Sequence, residues 1–311
     1  MKSTHWRLAL LLALAGSAAR AQQVAESLRR APGQMVVVGH AGSGFFTPLN
    51  PFNPLPPSSL RSELKALHDG AEGLEIDVQL SQDSVPVLYH DTTLDTMTKT
   101  GRGCTNEHSA AELVQLRFRG GWPYDWFQHE KLVTLDTLLA RLARRPEFPY
   151  LHLDLHEALP CLSPAQAQRN SAALARQLVQ RLRHYGVPAG RILIVSDQVS
   201  TLRRFRQLWP ALPLGYEITD AYAANLPRAR QEKVAAVVLN ETLTTPANVA
   251  QAHAAGLAVV TFGARSSGAI KRLVAANPDA YEVDNVGKLR RILHRPAATA
   301  NAGGSPETAA Q

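Results

Sequence analysis

The sequence predicts a single (β/α)8 barrel of the TIM type with a long loop insertion after the third strand. Two observations support this prediction. Short apolar strand patterns alternate with helical patterns along most of the chain, which is typical of a parallel sheet covered on both faces. The folded part, roughly 260 residues, also suits one barrel. A doubly wound open sheet is the alternative, but no glycine-rich phosphate-binding sequence follows the first strand.

Nine segments have the pattern of a strand, one more than a barrel requires, so one is misassigned or extra. These segments are 35–39, 73–80, 85–89, 150–155, 192–195, 214–216, 234–239, 257–261 and 280–283. Helical periodicity or capping residues predict helices over 22–30, 59–70, 109–113, 135–145, 164–185 and 286–294. The stretch 92–131 lacks strong strand signals and forms the predicted insertion.

The second strand pattern carries two acidic residues on one face. Side chains alternate across a strand, so Glu75 and Asp77 point to one side while the apolar residues between and beside them point to the other. Burying both as anions would cost several kcal/mol unless the shared face is hydrated or binds a cation. An exposed edge strand with solvated acids is the alternative explanation.

The amino terminus has the pattern of a secretory signal peptide. Basic residues precede an apolar run, and the small residues Ala19 and Ala21 indicate a cleavage site near Ala21. We therefore expect a signal peptide over 1–21, a folded domain over 22–295 and a disordered tail over 296–311. Removing 1–21 takes away three basic residues and no acid, so the formal net charge falls from +7 to +4. The predicted location is the periplasm or the cell exterior.

Composition and cysteine content narrow the possible partners. No cluster of lysine and arginine is interleaved with aromatic residues, so we expect no nucleic-acid partner. The apolar run near the amino terminus is too short for a stable membrane span. The two cysteines, Cys104 and Cys161, are expected to form a disulfide in an oxidising compartment, with two buried free thiols as the alternative.

Polar residues lie near the carboxyl ends of the predicted strands, where a barrel builds its site. In chain order they are His40, Glu75, Asp77, His90, Asp154 and His156. Three carboxylates with no cysteine ligand suit a hard divalent cation, and two imidazoles beside it suit proton transfer. A cation held by oxygen ligands offsets phosphate charge in an in-line displacement, while one histidine takes a proton and another gives one.

Three segments of the chain resemble the motifs of one known family. They are His40-Ala41-Gly42, the segment 70–79 around the two acids, and the segment 87–91 that ends in His90-Asp91. They resemble the glycerophosphodiester phosphodiesterase family, which has His-Arg-Gly, Gly-Ala-Asp-x-Ile-Glu-x-Asp-Val and His-Asp at these places. Further matches extend the resemblance from about Val36 to Asp284.

The resemblance implies a TIM-type barrel that hydrolyses glycerophosphodiesters, such as glycerophosphocholine, to glycerol 3-phosphate and an alcohol, with one Ca²⁺ or Mg²⁺ ion. It assigns the metal to three acidic residues, which are Glu75, Asp77 and Asp154. It assigns acid and base catalysis to His40 and His90, in an order that the sequence leaves open. It also implies substrate contacts from Gly42 and His156.

Several positions depart from the family pattern. Ala41 replaces an arginine, and Asp154 replaces a glutamate that is one methylene longer. His156 replaces a lysine, and an ordinary histidine carries little charge at neutral pH. The segment 56–59 replaces Pro-Glu-Asn-Thr with Pro-Pro-Ser-Ser. Two alternatives therefore stay open: a phospholipase D- or C-like enzyme acting on (lyso)phospholipid head groups, and a non-catalytic barrel that binds phosphodiesters.

Overall fold

The structure is a computed structural model that describes residues 28, 34–45, 53, 55–120 and 124–294. Within these residues, nine strands form one sheet, and eight of them are parallel and close into a barrel because β1 pairs with both the second and the last strand. The barrel strands are β1 (Val36–Gly39), β2 (Gly73–Leu80), β4 (Tyr150–Leu155), β5 (Ile192–Ser196), β6 (Leu214–Ile218), β7 (Ala236–Leu239), β8 (Ala258–Phe262) and β9 (Ala280–Val283). The predicted TIM-type barrel is confirmed.

The remaining strand, β3 (Pro86–Leu88), is the extra one. It pairs antiparallel with β2, with Leu88 opposite Val78, and so forms a hairpin beside the barrel. Only residues 81–85 connect the two strands, whereas a parallel connection needs a crossover of about a dozen residues or more. The predicted insertion after β3 is present and is followed by the helix Leu135–Leu142, which leads to β4, the third strand of the barrel itself.

Helices follow the barrel strands and cover the outside of the sheet. The described α-helices are α1 (Leu60–His68), α2 (Leu94–Met97), α3 (Ala110–Leu113), α4 (Leu135–Leu142), α5 (Pro164–His184), α6 (Val199–Leu208), α7 (Tyr222–Gln231), α8 (Pro246–Ala254), α9 (Ser267–Ala275) and α10 (Val286–Leu293). The helix predicted over 22–30 lies, except for Leu28, outside the described residues, as do the predicted signal peptide and tail. None of the described helices combines the length and apolarity that a membrane crossing requires.

Alternation along the strands sorts their side chains into two sets. One set, which includes Ile76, Leu153 and Ile194, faces outward and packs with the helices in the main core. The other set, which includes Val38 and Val195, fills the inside of the barrel. Polar residues in phase with the second set therefore point to the barrel axis.

The insertion between β3 and β4 has a small core of its own. Tyr89, Leu94 and Phe118 belong to a separate cluster of buried apolar residues. A disulfide between Cys104 and Cys161 joins the insertion to the loop that follows β4, as predicted. The insertion is thus fixed beside the carboxyl end of the barrel, next to the polar residues that end β4.

Candidate active site

Polar side chains surround a cavity of about 160 Å³ at the carboxyl end of the barrel. The residues that line it are His40, Glu75, Asp77, His90, Asp154, His156, Val195, Glu217, Val238, Phe262 and Glu282. The barrel therefore brings together six of the predicted site residues. Gly42 is not among those lining the cavity.

Three carboxylates from two neighbouring strands converge in this cavity. Asp77 on β2 lies opposite Asp154 on β4 in the strand register, and Glu75 lies two positions before Asp77 on the same face. Each of the three offers an oxygen within 4.8 Å of the others. Clustered carboxylate oxygens are the donor set that hard divalent cations use in proteins. The acids predicted to bind a metal can therefore contact one ion together.

Glu75 is buried, and only one of its two carboxylate oxygens accepts a hydrogen bond within the described part of the chain. Its Oε2 accepts a hydrogen bond of 2.6 Å from the amide of Ala41. Its Oε1 is buried without a hydrogen-bond partner among the described residues. Burial, followed by the negative charge of Asp77, raises the pKa of Glu75 well above its usual value. An unpartnered buried carboxylate oxygen is costly, so this atom fits a cation ligand.

Asp77 is the acid whose anionic form is most strongly favoured. Its Oδ2 accepts a hydrogen bond of 3.0 Å from the Ser58 hydroxyl, and its Oδ1 lies 2.9 Å from His156 Nε2. Burial opposes ionisation, but the hydrogen bond and charge of His156 outweigh it and lower the pKa of Asp77 to about 2. Burial raises the pKa of Asp154, in contrast, to about 6.

His156 bridges these two acids. Its Nε2 lies 2.9 Å from Asp77 Oδ1 and 3.6 Å from Asp154 Oδ2. Burial lowers the pKa of this imidazole, but the hydrogen bond to Asp77 and the charge of Asp154 raise it to about 9. The expectation that His156 carries little charge at neutral pH is therefore wrong in this environment. A positive charge stands where the family has lysine.

His40 is oriented by a buried carboxylate. Its Nδ1 lies 2.7 Å from Asp284 Oδ1, and Asp284 Oδ2 accepts a hydrogen bond of 2.6 Å from Arg265 Nε. Its Nε2 lies 4.0 Å from Glu75 Oε2. Burial lowers the pKa of His40, but the hydrogen bond and charge of Asp284 outweigh it, so the pKa is raised. A carboxylate at Nδ1 fixes the tautomer and leaves Nε2 free for proton transfer.

His90 has a similar arrangement at the start of the insertion. Its Nδ1 lies 2.7 Å from Asp91 Oδ1. The buried amide of Gln79 supports the backbone here, because its Nε2 donates a hydrogen bond of 2.8 Å to the carbonyl oxygen of Asp91. The ring centre of Phe45 lies 5.4 Å from that of His40 and 5.0 Å from that of His90. Both histidines therefore border one space, and the ring of Phe45 lies beside both of them.

Packing explains the glycine at position 42. Its φ is 82°, in the left-handed region, and a Cβ there would lie 2.6 Å from the backbone nitrogen of Glu63 on α1. The close approach of this turn to α1 therefore requires glycine. A substrate contact from Gly42 stays a prediction.

Several charged residues of this centre were not predicted as site residues. Glu217 on β6 and Glu282 on β9 line the cavity. His152 Nδ1 lies 2.6 Å from Glu282 Oε1 inside the barrel. Asp284 matches the family pattern, but its hydrogen bond to His40 was not foreseen. An acid inside an otherwise apolar strand was the available signal for Glu217 and Glu282.

The fold and the site together define a TIM barrel with an acidic centre and two oriented histidines, an arrangement suited to phosphate-ester chemistry. Residues 52–288 match the model of the glycerophosphoryl diester phosphodiesterase family. This match covers more than half of the chain. The protein belongs to this family.

One relative found by sequence similarity agrees with the family match. The Mycobacterium tuberculosis protein named "Probable glycerophosphodiester phosphodiesterase 1" is 28% identical over 193 residues, which cover 58% of this chain and 63% of the relative. The alignment thus spans less than two thirds of that protein.

Two solved structures share the fold. A Silicibacter pomeroyi protein provisionally named a glycerophosphoryl diester phosphodiesterase has a TM-score of 0.74 and 24% identity, covering 88% of this chain and 97% of that one. An Oleispira antarctica phosphodiesterase in complex with the product sn-glycerol-3-phosphate has a TM-score of 0.67 and 24% identity, covering 82% and 95%.

Proposed function

We propose that this protein hydrolyses glycerophosphodiesters to glycerol 3-phosphate and an alcohol in a reaction that depends on a divalent cation. The observation that carries the proposal is the convergence of three carboxylates and two oriented histidines on one cavity. Membership of the glycerophosphoryl diester phosphodiesterase family supports the substrate class. The glycerol 3-phosphate bound to the Oleispira antarctica relative as product supports it as well.

The donor set fits Ca²⁺ or Mg²⁺. Glu75, Asp77 and Asp154 offer clustered carboxylate oxygens, and Glu75 Oε1 has no hydrogen-bond partner among the described residues. These three residues would hold the ion. A cation bound here supplies positive charge that offsets the charge of the phosphate during displacement.

We assign the base to His40 and the acid to His90. Asp284, which is 5% exposed, holds His40 Nδ1 and stabilises the imidazolium that forms when Nε2 takes a proton from the attacking water. The resulting hydroxide oxygen bonds to phosphorus while the bond from phosphorus to the leaving alcohol breaks. His90, whose partner Asp91 is partly exposed, gives a proton to the oxygen of that alcohol.

Substitution of each histidine tests the proposal. We expect His40→Ala and His90→Ala to lower kcat at least about 100-fold, because each removes one proton-transfer step. The measurement is release of glycerol 3-phosphate from glycerophosphocholine with Ca²⁺ or Mg²⁺ present. The matched control is His184→Ala, an exposed histidine at the end of α5, for which we expect a change of less than about twofold. Undiminished turnover in His40→Ala contradicts the proposal.

A lipid substrate is the second candidate, and an exposed aromatic pair favours it. Trp126 and Phe127 in the insertion are 69% and 71% exposed. Large exposed aromatic side chains are typical of surfaces that contact membranes or other partners. A phospholipase D- or C-like enzyme acting on lysophospholipids would use such a surface. Phosphorus NMR of the products separates the candidates, because a cyclic phosphate favours the lipid enzyme and glycerol 3-phosphate favours the first proposal.

We further propose that the protein acts in the periplasm or outside the cell, after cleavage near Ala21. The disulfide between Cys104 and Cys161 supports this location, because disulfides persist in oxidising compartments. Amino-terminal sequencing of protein recovered from the periplasm or medium is the test. A chain that begins at Gln22 is expected, and a chain that retains Met1 and stays in the cytoplasm contradicts the proposal.

A further inference from the structure

The cavity has an excess of negative charge beyond what a metal site requires. Five carboxylates line it, namely Glu75, Asp77, Asp154, Glu217 and Glu282. Neither lysine nor arginine is among the described residues that line it, and the family arginine is replaced by Ala41. With all five ionised, a divalent cation and the protonated imidazole of His156 offset three of these charges, whereas the phosphate of a diester adds one more. The remaining imbalance favours a substrate that carries positive charge of its own.

Glu217 is the acid that the proposed chemistry leaves unused. It lies on β6, separated from Asp154 on β4 by β5, whose Val195 is the apolar lining residue between them. Its carboxylate makes no hydrogen bond or ion pair to any residue in the described part of the chain, whereas Glu282 is held by His152 at 2.6 Å. The carboxylate of Glu217 is therefore available to a ligand.

The environment of Glu217 favours a cation as that ligand. Burial, followed by the negative charge of Asp154, raises its pKa to about 8. A cationic group beside it would favour the ionised form and replace the lost hydration. The aromatic ring of Phe262 also lines the cavity, and aromatic faces attract ammonium groups.

We propose that Glu217 selects diesters whose leaving alcohol carries an ammonium group, such as choline or ethanolamine. This inference rests on the proposed phosphodiesterase function, because it places the alcohol of the same substrate in the same cavity. The shared chemistry is a phosphodiester next to an ammonium, which occurs both in soluble glycerophosphodiesters and in lysophospholipid head groups.

The test compares kcat/KM for substrates that differ in the charge of the alcohol. Glycerophosphocholine and glycerophosphoethanolamine carry an ammonium, whereas glycerophosphoglycerol and glycerophosphoinositol do not. Wild type should prefer the first pair at least tenfold. Glu217→Gln, which keeps the side-chain size and removes the charge, should reduce this preference at least tenfold. The matched control is Glu147→Gln, an exposed residue remote from the cavity, which should leave the preference unchanged.

The outcomes distinguish a failure of this inference from a failure of the proposed function. A loss of kcat/KM by the same factor on all four substrates in Glu217→Gln indicates a structural role and overturns the inference. Equal use of charged and uncharged alcohols by wild type also overturns it. Turnover of none of the substrates by wild type with Ca²⁺ or Mg²⁺ instead overturns the proposed function. Micellar lysophosphatidylcholine, assayed in parallel, supports the inference with a lipid as the source of the ammonium if it shows the same dependence on Glu217 and is the better substrate.

Discussion

The substitution Asp284→Asn tests whether the buried carboxylate beside His40 makes that histidine a base. Asp284 Oδ1 lies 2.7 Å from His40 Nδ1, and the residue is 5% exposed. A hydrogen bond to a charged group of this kind contributes about 1.5–3 kcal/mol, which corresponds to a loss of kcat of roughly 10- to 150-fold. Asparagine keeps the shape of the side chain, but its amide can donate to Nδ1. The proton would then sit on Nε2, where it blocks proton uptake from water.

The assay is the dependence of kcat on pH, from about pH 5 to about pH 9, with glycerol 3-phosphate as the detected product. Because Asp284 raises the pKa of His40, its loss should move the acidic limb of the profile to lower pH while the plateau falls. Asp220→Asn, at an exposed aspartate after β6, is the matched control. A kcat within about twofold of wild type and an unmoved acidic limb in Asp284→Asn would refute the assignment.

Three further predictions concern stability. Ca²⁺ or Mg²⁺ at about 100 times its Kd should stabilise the fold by about 2.7 kcal/mol and raise Tm by about 5–10 °C in scanning fluorimetry. Asp154→Asn should lose most of this shift, and an equal shift in the variant argues against Asp154 as a ligand. In a chelating buffer, the charge on His156 should stabilise the fold fully below its unfolded pKa of 6.5, and this contribution should disappear as pH rises through about 9, because only the folded protein keeps the proton over that interval. Urea midpoints across this pH range measure how the stability of the fold depends on pH. His156→Gln should flatten this dependence, and a dependence that persists in that variant contradicts the contribution of His156. The disulfide between Cys104 and Cys161 closes a loop with a sequence separation of 57, so its removal in the double serine variant should lower the free energy of unfolding by about 4 kcal/mol. An unchanged urea midpoint would show that the disulfide does not stabilise the fold.

The barrel could be predicted because each strand carries its own local signal. Runs of inward and outward apolar residues on β1, β5 and β7 have the pattern of strands without knowledge of their neighbours. The position of β3 outside the barrel was harder to predict, because its apolar pattern is the same as that of a barrel strand. The length of the connection could have decided it, because residues 81–85 are too few for a parallel crossover.

The candidate site was predicted where residues lie close in sequence or at strand ends. Glu75 and Asp77 share a strand face, and the strand register brings Asp154 to them. Contacts between distant strands could not be predicted from local patterns. The hydrogen bond between His152 and Glu282, for example, joins residues that are 130 positions apart. The charge of His156 was also missed, since its pKa depends on two carboxylates whose positions only the folded chain sets.

Release of glycerol 3-phosphate before and after removal of divalent cations tests the central claim most directly. Purified protein lacking residues 1–21 is assayed with glycerophosphocholine in Ca²⁺ or Mg²⁺, after treatment with a chelator, and again after the cation is restored. We predict release in the first state, no release in the second and recovery in the third, with Asp77→Asn inactive in all three. Undiminished release after chelation, or full activity in Asp77→Asn, would contradict a cation-dependent phosphodiesterase centre in this cavity.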